Sequence, residues 1–133
     1  MAFVWPVRVY WEDTDAGGVV YYANYLKFME RARSEWLRSF GFEQDVLRDE
    51  AGVVFVVRRV EIDYLSPARF NEQLAVSVRL HEAGRASFSV RQELLRGPSR
   101  LAEAIVTLAC IDAGRFKPVK IPEPLLQALA RAT

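Results

Sequence analysis

The stretch NYLKFMERARSEWLRSFG, residues 24–41, predicts one long helix that lies in the core of the protein. Its large apolar residues recur at helical spacing, and Leu26 and Leu37 widen the apolar stripe beside them. Gly41 is a typical residue at the C-terminal end of a helix. A helix of about 17 residues would be about 25 Å long. The recurring apolar positions are Tyr25, Phe28, Met29, Ala32, Trp36 and Phe40.

Strand patterns surround this helix on both sides. Residues 7–12, VRVYWE, alternate apolar and polar positions before it, and four further strands are predicted after it, at 53–65, 74–81, 86–94 and 101–111. The joins near Gly84 and at 96–100 are short, which indicates antiparallel neighbours. A short second helix is predicted at 43–50 and a terminal helix after Pro122. The sequence therefore predicts a single α+β domain, residues 1–133, in which a five-stranded antiparallel sheet wraps one helix.

Composition excludes several classes of protein. The 133 residues are 51% hydrophobic, and 18 Lys and Arg nearly balance 17 Asp and Glu, so a nucleic-acid binder is not expected. The single cysteine, Cys110, forms no intrachain disulfide and is expected to be a small core residue. The N-terminus lacks a signal-peptide pattern, and no stretch approaches the roughly 20 apolar residues of a transmembrane helix. We therefore expect a soluble cytoplasmic protein.

Residues 12–18, EDTDAGG, crowd acidic residues against two glycines just before the long helix. One interpretation is a solvated loop whose acids cap the helix. The other is half of a hydrolytic site, in which Asp15 acts as a base or nucleophile and Gly17 and Gly18 let the backbone approach a substrate. The helix would begin near residues 22–24, where its first N–H groups lack helical partners and could stabilise an oxyanion.

Other candidate sites are weaker. A calcium loop starting at Asp13 fails, because its twelfth position is Asn24 rather than Glu. A magnesium-dependent phosphotransferase is disfavoured because strands and helices do not alternate. His81 has no partner of the zinc-binding H-E-x-x-H motif, so no metal site is predicted. Ser99 is not part of the G-x-S-x-G motif, so a serine hydrolase is not predicted either.

Two sets of charged residues leave alternatives open. Glu30 is either a surface acid that pairs with Ser34 or Arg33, or a supporting residue of the site. Five basic residues could bind phosphate or could simply be solvated. They are Arg58, Arg59, Arg69, Arg85 and Lys120.

Two segments, RVYWEDTDAGGVVYYANYLKFMERARSEWL (8–37) and FVVRRVEIDYLSPARF (55–70), resemble the 4-hydroxybenzoyl-CoA thioesterase-like family. More narrowly, they resemble its Tol–Pal-associated acyl-CoA thioesterase branch. The resemblance implies the hotdog fold, a long helix wrapped by an antiparallel sheet. It also implies that Asp15 is the catalytic acid of the D-x-D-x-x-G turn and that the Tyr22 backbone N–H is the oxyanion donor. Some relatives carry His at the Tyr22 position.

The same resemblance implies which residues bind the substrate. Gly17 and Gly18, with Val19 beside them, match the positions that line the thioester. Arg85 matches, more loosely, a basic residue that contacts the nucleotide end of coenzyme A. No cofactor is implied, because coenzyme A is part of the substrate.

The predicted function is hydrolysis of an acyl-CoA thioester. Asp15 would activate water or attack the carbonyl to give a mixed anhydride. The alternative is a non-catalytic module on the same fold that binds acyl-CoA or an acyl carrier protein. Residues 53–57 and 104–110 are apolar on both faces, so we expect a homo-oligomer, at least a dimer, and the resemblance suggests a tetramer. The sequence leaves the acyl group open.

Overall fold

The computed structural model describes residues 2–132. The strands are β1 (Phe3–Arg8), β2 (Val53–Tyr64), β3 (Gln73–Ala83), β4 (Ser87–Arg96) and β5 (Ser99–Asp112). The helices are α1 (Asn24–Ser39), α2 (Gln44–Val46), which continues as a π-helical turn (Leu47–Ala51), and α3 (Glu123–Arg131). Between residues 2 and 132, none of the helices has the length and apolar character needed to cross a bilayer.

The five strands form one antiparallel sheet in the order β1-β3-β4-β5-β2. Helix α1 packs on the inner face of this sheet, where Phe28, Met29 and Ala32 are fully buried. Burial of each large side chain contributes about 1.5–3 kcal/mol, so this contact supplies much of the folding free energy. The structure thus confirms the predicted α+β architecture and core helix. The inner-face residues of β3, β4 and β5 include Leu74, Val76, Val78, Val90, Leu94, Val106 and Leu108.

The predicted first strand is misplaced. It was expected at residues 7–12, but β1 ends at Arg8, and Trp11–Asp13 form a 3₁₀ turn. The cause is the Asp13 carboxylate, which accepts a hydrogen bond from the Tyr10 N–H (2.8 Å) and so turns the chain out of the sheet. Pro6 is tolerated within β1 because this strand forms an edge of the sheet.

Strand β2 forms the opposite edge and contains a β-bulge. The pairing of β2 with β5 shifts between Val57 and Arg59, so one extra residue changes the phase of the strand. As a result, five apolar or aromatic residues on both sides of the bulge pair with alternate residues of β5 and share the inner face. We call them the β2 inner row: Phe55, Val57, Val60, Ile62 and Tyr64.

Cys110 is a core residue, as predicted. It is 0% exposed, and burial raises the pKa of its thiol to about 11. The thiol therefore stays protonated at neutral pH and is a poor nucleophile.

Candidate active site

The acidic turn is a miniature antiparallel hairpin. Thr14 bridges Val20, the Asp15 N–H donates to the Val19 carbonyl (2.9 Å), and the Tyr21 N–H donates to the Asp13 carbonyl (2.9 Å). The Val20 N–H donates to the carbonyl of Ala68 (2.8 Å), which ties the hairpin to the segment before β3. These bonds present Asp15 at an exposed, well-defined position.

The two aspartates of this turn differ in their surroundings. Asp13 is only 8% exposed, and its carbonyl also accepts a bond from the Asn24 side chain (3.0 Å). Asp15 is exposed, and its Oδ1 accepts the Gly17 N–H (2.8 Å). Its Oδ2 accepts no hydrogen bond from residues 2–132. Asp13 therefore builds the turn, whereas Asp15 keeps one carboxylate oxygen available to a ligand.

The two glycines are required for separate reasons. A Cβ on Gly17 would lie 3.1 Å from Asp15 Oδ1 and would push against the carboxylate. Gly18 has φ +81°, in the left-handed region that other residues rarely adopt. Both substitutions would therefore disturb the position of Asp15.

Helix α1 begins two residues after Tyr22. The Asn24 N–H donates to the Tyr21 carbonyl (2.8 Å), but the N–H groups of Tyr22 and Ala23 have no acceptor in the described part of the chain. These groups lie at the positive end of the helix dipole. Tyr22 and Ala23 therefore carry the unpaired N–H groups that the sequence predicts near residues 22–24, and Tyr22 is the one that the resemblance implies as the donor.

Tyr64, which sequence reasoning missed, holds this helix start in place. Its hydroxyl donates to the Tyr22 carbonyl (3.0 Å), and its ring contacts the rings of Tyr22 (6.0 Å) and Tyr25 (5.1 Å). Burial raises the pKa of Tyr64, so the phenol stays protonated and remains a donor. The residue fixes the peptide that joins Tyr22 to Ala23 and is a positioning residue.

Tyr21 lies between this group and the acidic turn. Its ring is 4.9 Å from that of Tyr22. The neighbouring Tyr22 hydroxyl is the main cause that raises the pKa of Tyr21 above its ordinary value, and the Asp15 carboxylate adds to it. The Tyr21 hydroxyl is therefore protonated at neutral pH.

Arg85 is not brought to Asp15 within one chain. It lies in the exposed turn between β3 and β4, whereas the acidic turn contacts the segment just before β3. Strand β3 has 11 residues, so the two sites lie at opposite ends of a strand about 35 Å long. Val19, in contrast, is half-buried in the acidic turn itself and bridges Arg69.

Arg58 and Arg59 lie beside the turn that carries Arg85. Both are exposed at the β2 bulge and line an open cavity of about 380 Å³ together with His81 and Gly84. Arg59 also forms an ion pair with Glu61 (2.7 Å). The fold thus places Arg58, Arg59 and Arg85 at the end of the sheet opposite Asp15, together with the acids Glu61 and Glu82.

Glu30 accepts a hydrogen bond from Ser34 (3.4 Å), one of its two predicted partners. The other, Arg33, turns inward and is only 8% exposed. Its Nη1 donates to Gln92 Oε1 (3.0 Å), and Gln92 Nε2 donates to the Met29 carbonyl (3.0 Å). Arg33 follows Met29 by four positions, which places it in the apolar stripe of α1, and this was the available signal.

Curated relatives match nearly the whole chain. It is 45% identical over 126 residues to the acyl-CoA thioesterase YbgC of Haemophilus influenzae, covering 95% of this chain and 93% of that protein. It is 42% identical over 125 residues to the acyl-CoA thioester hydrolase YbgC of Escherichia coli, covering 93% of this chain and 92% of that protein.

Solved structures share the fold. A probable thioesterase from Bartonella henselae superposes with a TM-score of 0.87 at 38% identity, covering 92% of this chain and 100% of that one. A 1,4-dihydroxy-2-naphthoyl-CoA thioesterase from Synechocystis superposes with a TM-score of 0.89 at 26% identity, covering 98% and 96%. Residues 9–129 match the family described as the Thioesterase-like superfamily. The chain therefore belongs to the thioesterase-like superfamily and has its hotdog fold.

Proposed function

We propose that this thioester hydrolase cleaves acyl-CoA to a free acid and coenzyme A, at the acidic turn and the start of α1. One observation carries the proposal: the exposed Asp15 carboxylate, with Oδ2 available, lies in the turn that leads directly into the start of α1, where the Tyr22 N–H is unpaired. A base or nucleophile beside an oxyanion donor is the pair of groups that acyl transfer to water needs. The names of the relatives at 42–45% identity support an acyl-CoA substrate.

In the proposed reaction the thioester carbonyl oxygen accepts the Tyr22 N–H. Asp15 then takes a proton from a water molecule that attacks the carbonyl carbon. Alternatively, Asp15 attacks that carbon itself, and water hydrolyses the resulting mixed anhydride. In both routes the C–S bond breaks, the thiolate of coenzyme A leaves and takes up a proton, and water supplies the new oxygen of the acid. Neither route uses a metal or a redox cofactor.

Arg85, together with Arg58, is proposed to contact the phosphates of coenzyme A. Arginine forms charge-assisted hydrogen bonds with phosphate oxygens. Since Arg85 and Asp15 of one chain lie about 35 Å apart along β3, Arg85 would serve the site of a second subunit. Gly17, Gly18 and Val19 would line the thioester.

The assembly is proposed to be at least a dimer. Strand β2 is an edge strand of 12 residues, and its inner-row residues Val57 and Tyr64 stay 49% and 43% exposed. A long, partly apolar edge usually pairs with another strand or is covered.

We expect light scattering at micromolar concentration to give at least twice the chain mass of 15.2 kDa. Val57→Asp should shift the protein toward the monomer, whereas a wild-type mass of one chain would contradict the assignment. The tetramer, the cytoplasmic location and the Tol–Pal-associated branch remain predictions from the sequence.

The rival function is a non-catalytic module that binds acyl-CoA or an acyl carrier protein. A thiol-release assay across acyl-CoAs of several chain lengths separates the two, with binding measured by calorimetry in parallel. We expect turnover on at least part of the panel. Binding without any thiol release would favour the module instead.

A further inference from the structure

A cavity of about 160 Å³ lies between α1 and the edge strand β2. Its walls are mostly apolar and aromatic and include Trp36, Leu37, Phe55 and Val57. Its charged lining residues are Arg33, which is buried, and Glu30, which is exposed. A cavity with an apolar body and a buried cation suits a ligand that is apolar along its length and anionic at one end.

Arg33 forms no ion pair in the described structure. The residue is only 8% exposed, and no Asp or Glu between residues 2 and 132 lies within ion-pair distance of its guanidinium. Its one protein acceptor is Gln92 Oε1, whereas a guanidinium has five N–H donors. No fully buried side-chain nitrogen of the described residues lacks a partner, so the Arg33 nitrogens without a protein acceptor keep some accessible surface, and Arg33 is one of the residues that line the cavity.

Glu30 does not neutralise Arg33. Its carboxylate is exposed and accepts the Ser34 hydroxyl (3.4 Å), and Ser34 Oγ in turn accepts a bond from Gln44 (3.0 Å). Burial lowers the pKa of Arg33, and the more distant Glu30 charge opposes that effect only in part. A buried cation without a carboxylate partner is costly, so an anion in the cavity would be favoured.

The β2 inner row runs from this cavity toward the proposed reaction centre. Phe55 and Val57 line the cavity, and Tyr64 at the other end of the row bonds to the Tyr22 carbonyl. Tyr22 and Arg33 are separated by about 16 Å along the helix axis, and helical side chains lean toward the N-terminus, which shortens the gap. An acyl chain with its thioester at Tyr22 could follow this row to the guanidinium.

We propose that Arg33 binds a carboxylate at the far end of the acyl group, so that the preferred substrates are coenzyme A monothioesters of dicarboxylic acids with an apolar middle. The proposal rests on the proposed function and adds the substrate class to it. Arg33 recognises the carboxylate through its free N–H donors, and Gln92 holds the guanidinium in place.

The test compares matched pairs of substrates. The assay compares adipoyl-, suberoyl- and sebacoyl-CoA with hexanoyl-, octanoyl- and decanoyl-CoA, which have the same chain lengths without the second carboxylate. The enzymes tested are the wild type, Arg33→Met and Arg33→Lys. The control is Arg31→Met, which removes an exposed arginine of the same helix. A charge-assisted bond predicts that the wild type favours the best diacid thioester by about tenfold to a hundredfold in kcat/KM. Arg33→Met should abolish that preference, Arg33→Lys should keep part of it, and Arg31→Met should leave it unchanged.

Other outcomes overturn the proposal in distinguishable ways. An equal loss on both members of each pair would make Arg33 a purely structural residue, and an equal preference for 8-hydroxyoctanoyl-CoA would rule out carboxylate recognition. If no thioester is hydrolysed, the proposed function fails. Calorimetry with suberoyl-CoA and octanoyl-CoA then tests carboxylate binding by Arg33 independently of hydrolysis. Tighter binding of suberoyl-CoA that depends on Arg33 supports the carboxylate site, and equal binding of the two thioesters overturns it.

Discussion

Replacing Asp15 with Asn is expected to lower kcat by about 10²–10⁴-fold, the usual contribution of a positioned base. The amide oxygen of Asn still accepts the Gly17 N–H, so the turn keeps its shape. Only the negative charge on the available oxygen is lost, and with it the ability to take a proton or attack a carbonyl. Circular dichroism and thermal unfolding should match the wild type, and acyl-CoA should still bind in calorimetry.

The matched control is Glu12→Gln, which removes another exposed carboxylate of the same acidic stretch. It should keep kcat within about twofold, because Glu12 lies outside the pair formed by Asp15 and the helix start. Near-wild-type turnover of Asp15→Asn would instead transfer the role to another acid. Glu30→Gln would then be the next variant to assay.

The long helix was predictable because its signal is local. The apolar spacing of residues 24–41 predicted a helix that the structure places at Asn24–Ser39. The error at β1 has the same origin: alternation continues through VRVYWE, but the Asp13 carboxylate competes for the Tyr10 N–H, and a hydrogen bond of this kind leaves the hydropathy pattern unchanged. The β2 bulge, which shifts the pairing between Val57 and Arg59, was not predicted from the sequence.

The residues of the candidate site were likewise predictable only where they lie close together in the sequence. Asp15, Gly17, Gly18 and Tyr22 lie within eight consecutive positions, so one turn brings them together. Tyr64 and Tyr22 are 42 positions apart, and Arg33 and Gln92 are 59 apart. Contacts of that separation depend on how the sheet wraps the helix, which the spacing of residues does not determine. The one local hint was that Arg33 occupies the apolar stripe of α1.

The second large effect on kcat is expected at Tyr22. Three substitutions at this position separate the contribution of the backbone N–H from that of the side chain. Tyr22→Phe removes the hydroxyl but keeps the ring contacts with Tyr21 and Tyr64 and the N–H, so kcat should stay within about tenfold of wild type. Tyr22→Ala removes the ring and keeps the N–H. Tyr22→Pro removes both the ring and the N–H. The comparison of Pro with Ala therefore isolates the N–H.

Proline should be tolerated at this position. The Tyr22 N–H has no acceptor in the described structure, and Tyr22 is the second residue of the turn closed by the Asn24 N–H and the Tyr21 carbonyl, a position where proline is favoured. Proline also favours an extended conformation at the residue before it. Tyr21 already takes part in the hairpin pairing through its bond to the Asp13 carbonyl, so that preference is compatible with the turn.

Loss of one oxyanion donor typically costs about 10²–10³ in kcat, so we expect Tyr22→Pro to fall below Tyr22→Ala by that factor with a near-native circular dichroism spectrum. Equal rates for the Pro and Ala variants would show that the Tyr22 N–H takes no part, and the unpaired N–H of Ala23 would become the candidate donor. A loss of kcat in Tyr22→Phe as large as that in Tyr22→Pro would show that the Tyr22 hydroxyl, rather than the N–H, stabilises the oxyanion. In that second case the reason for placing an acidic glycine turn directly before a helix start would have to be sought in the side chains of Tyr21 and Tyr22 rather than in the helix backbone.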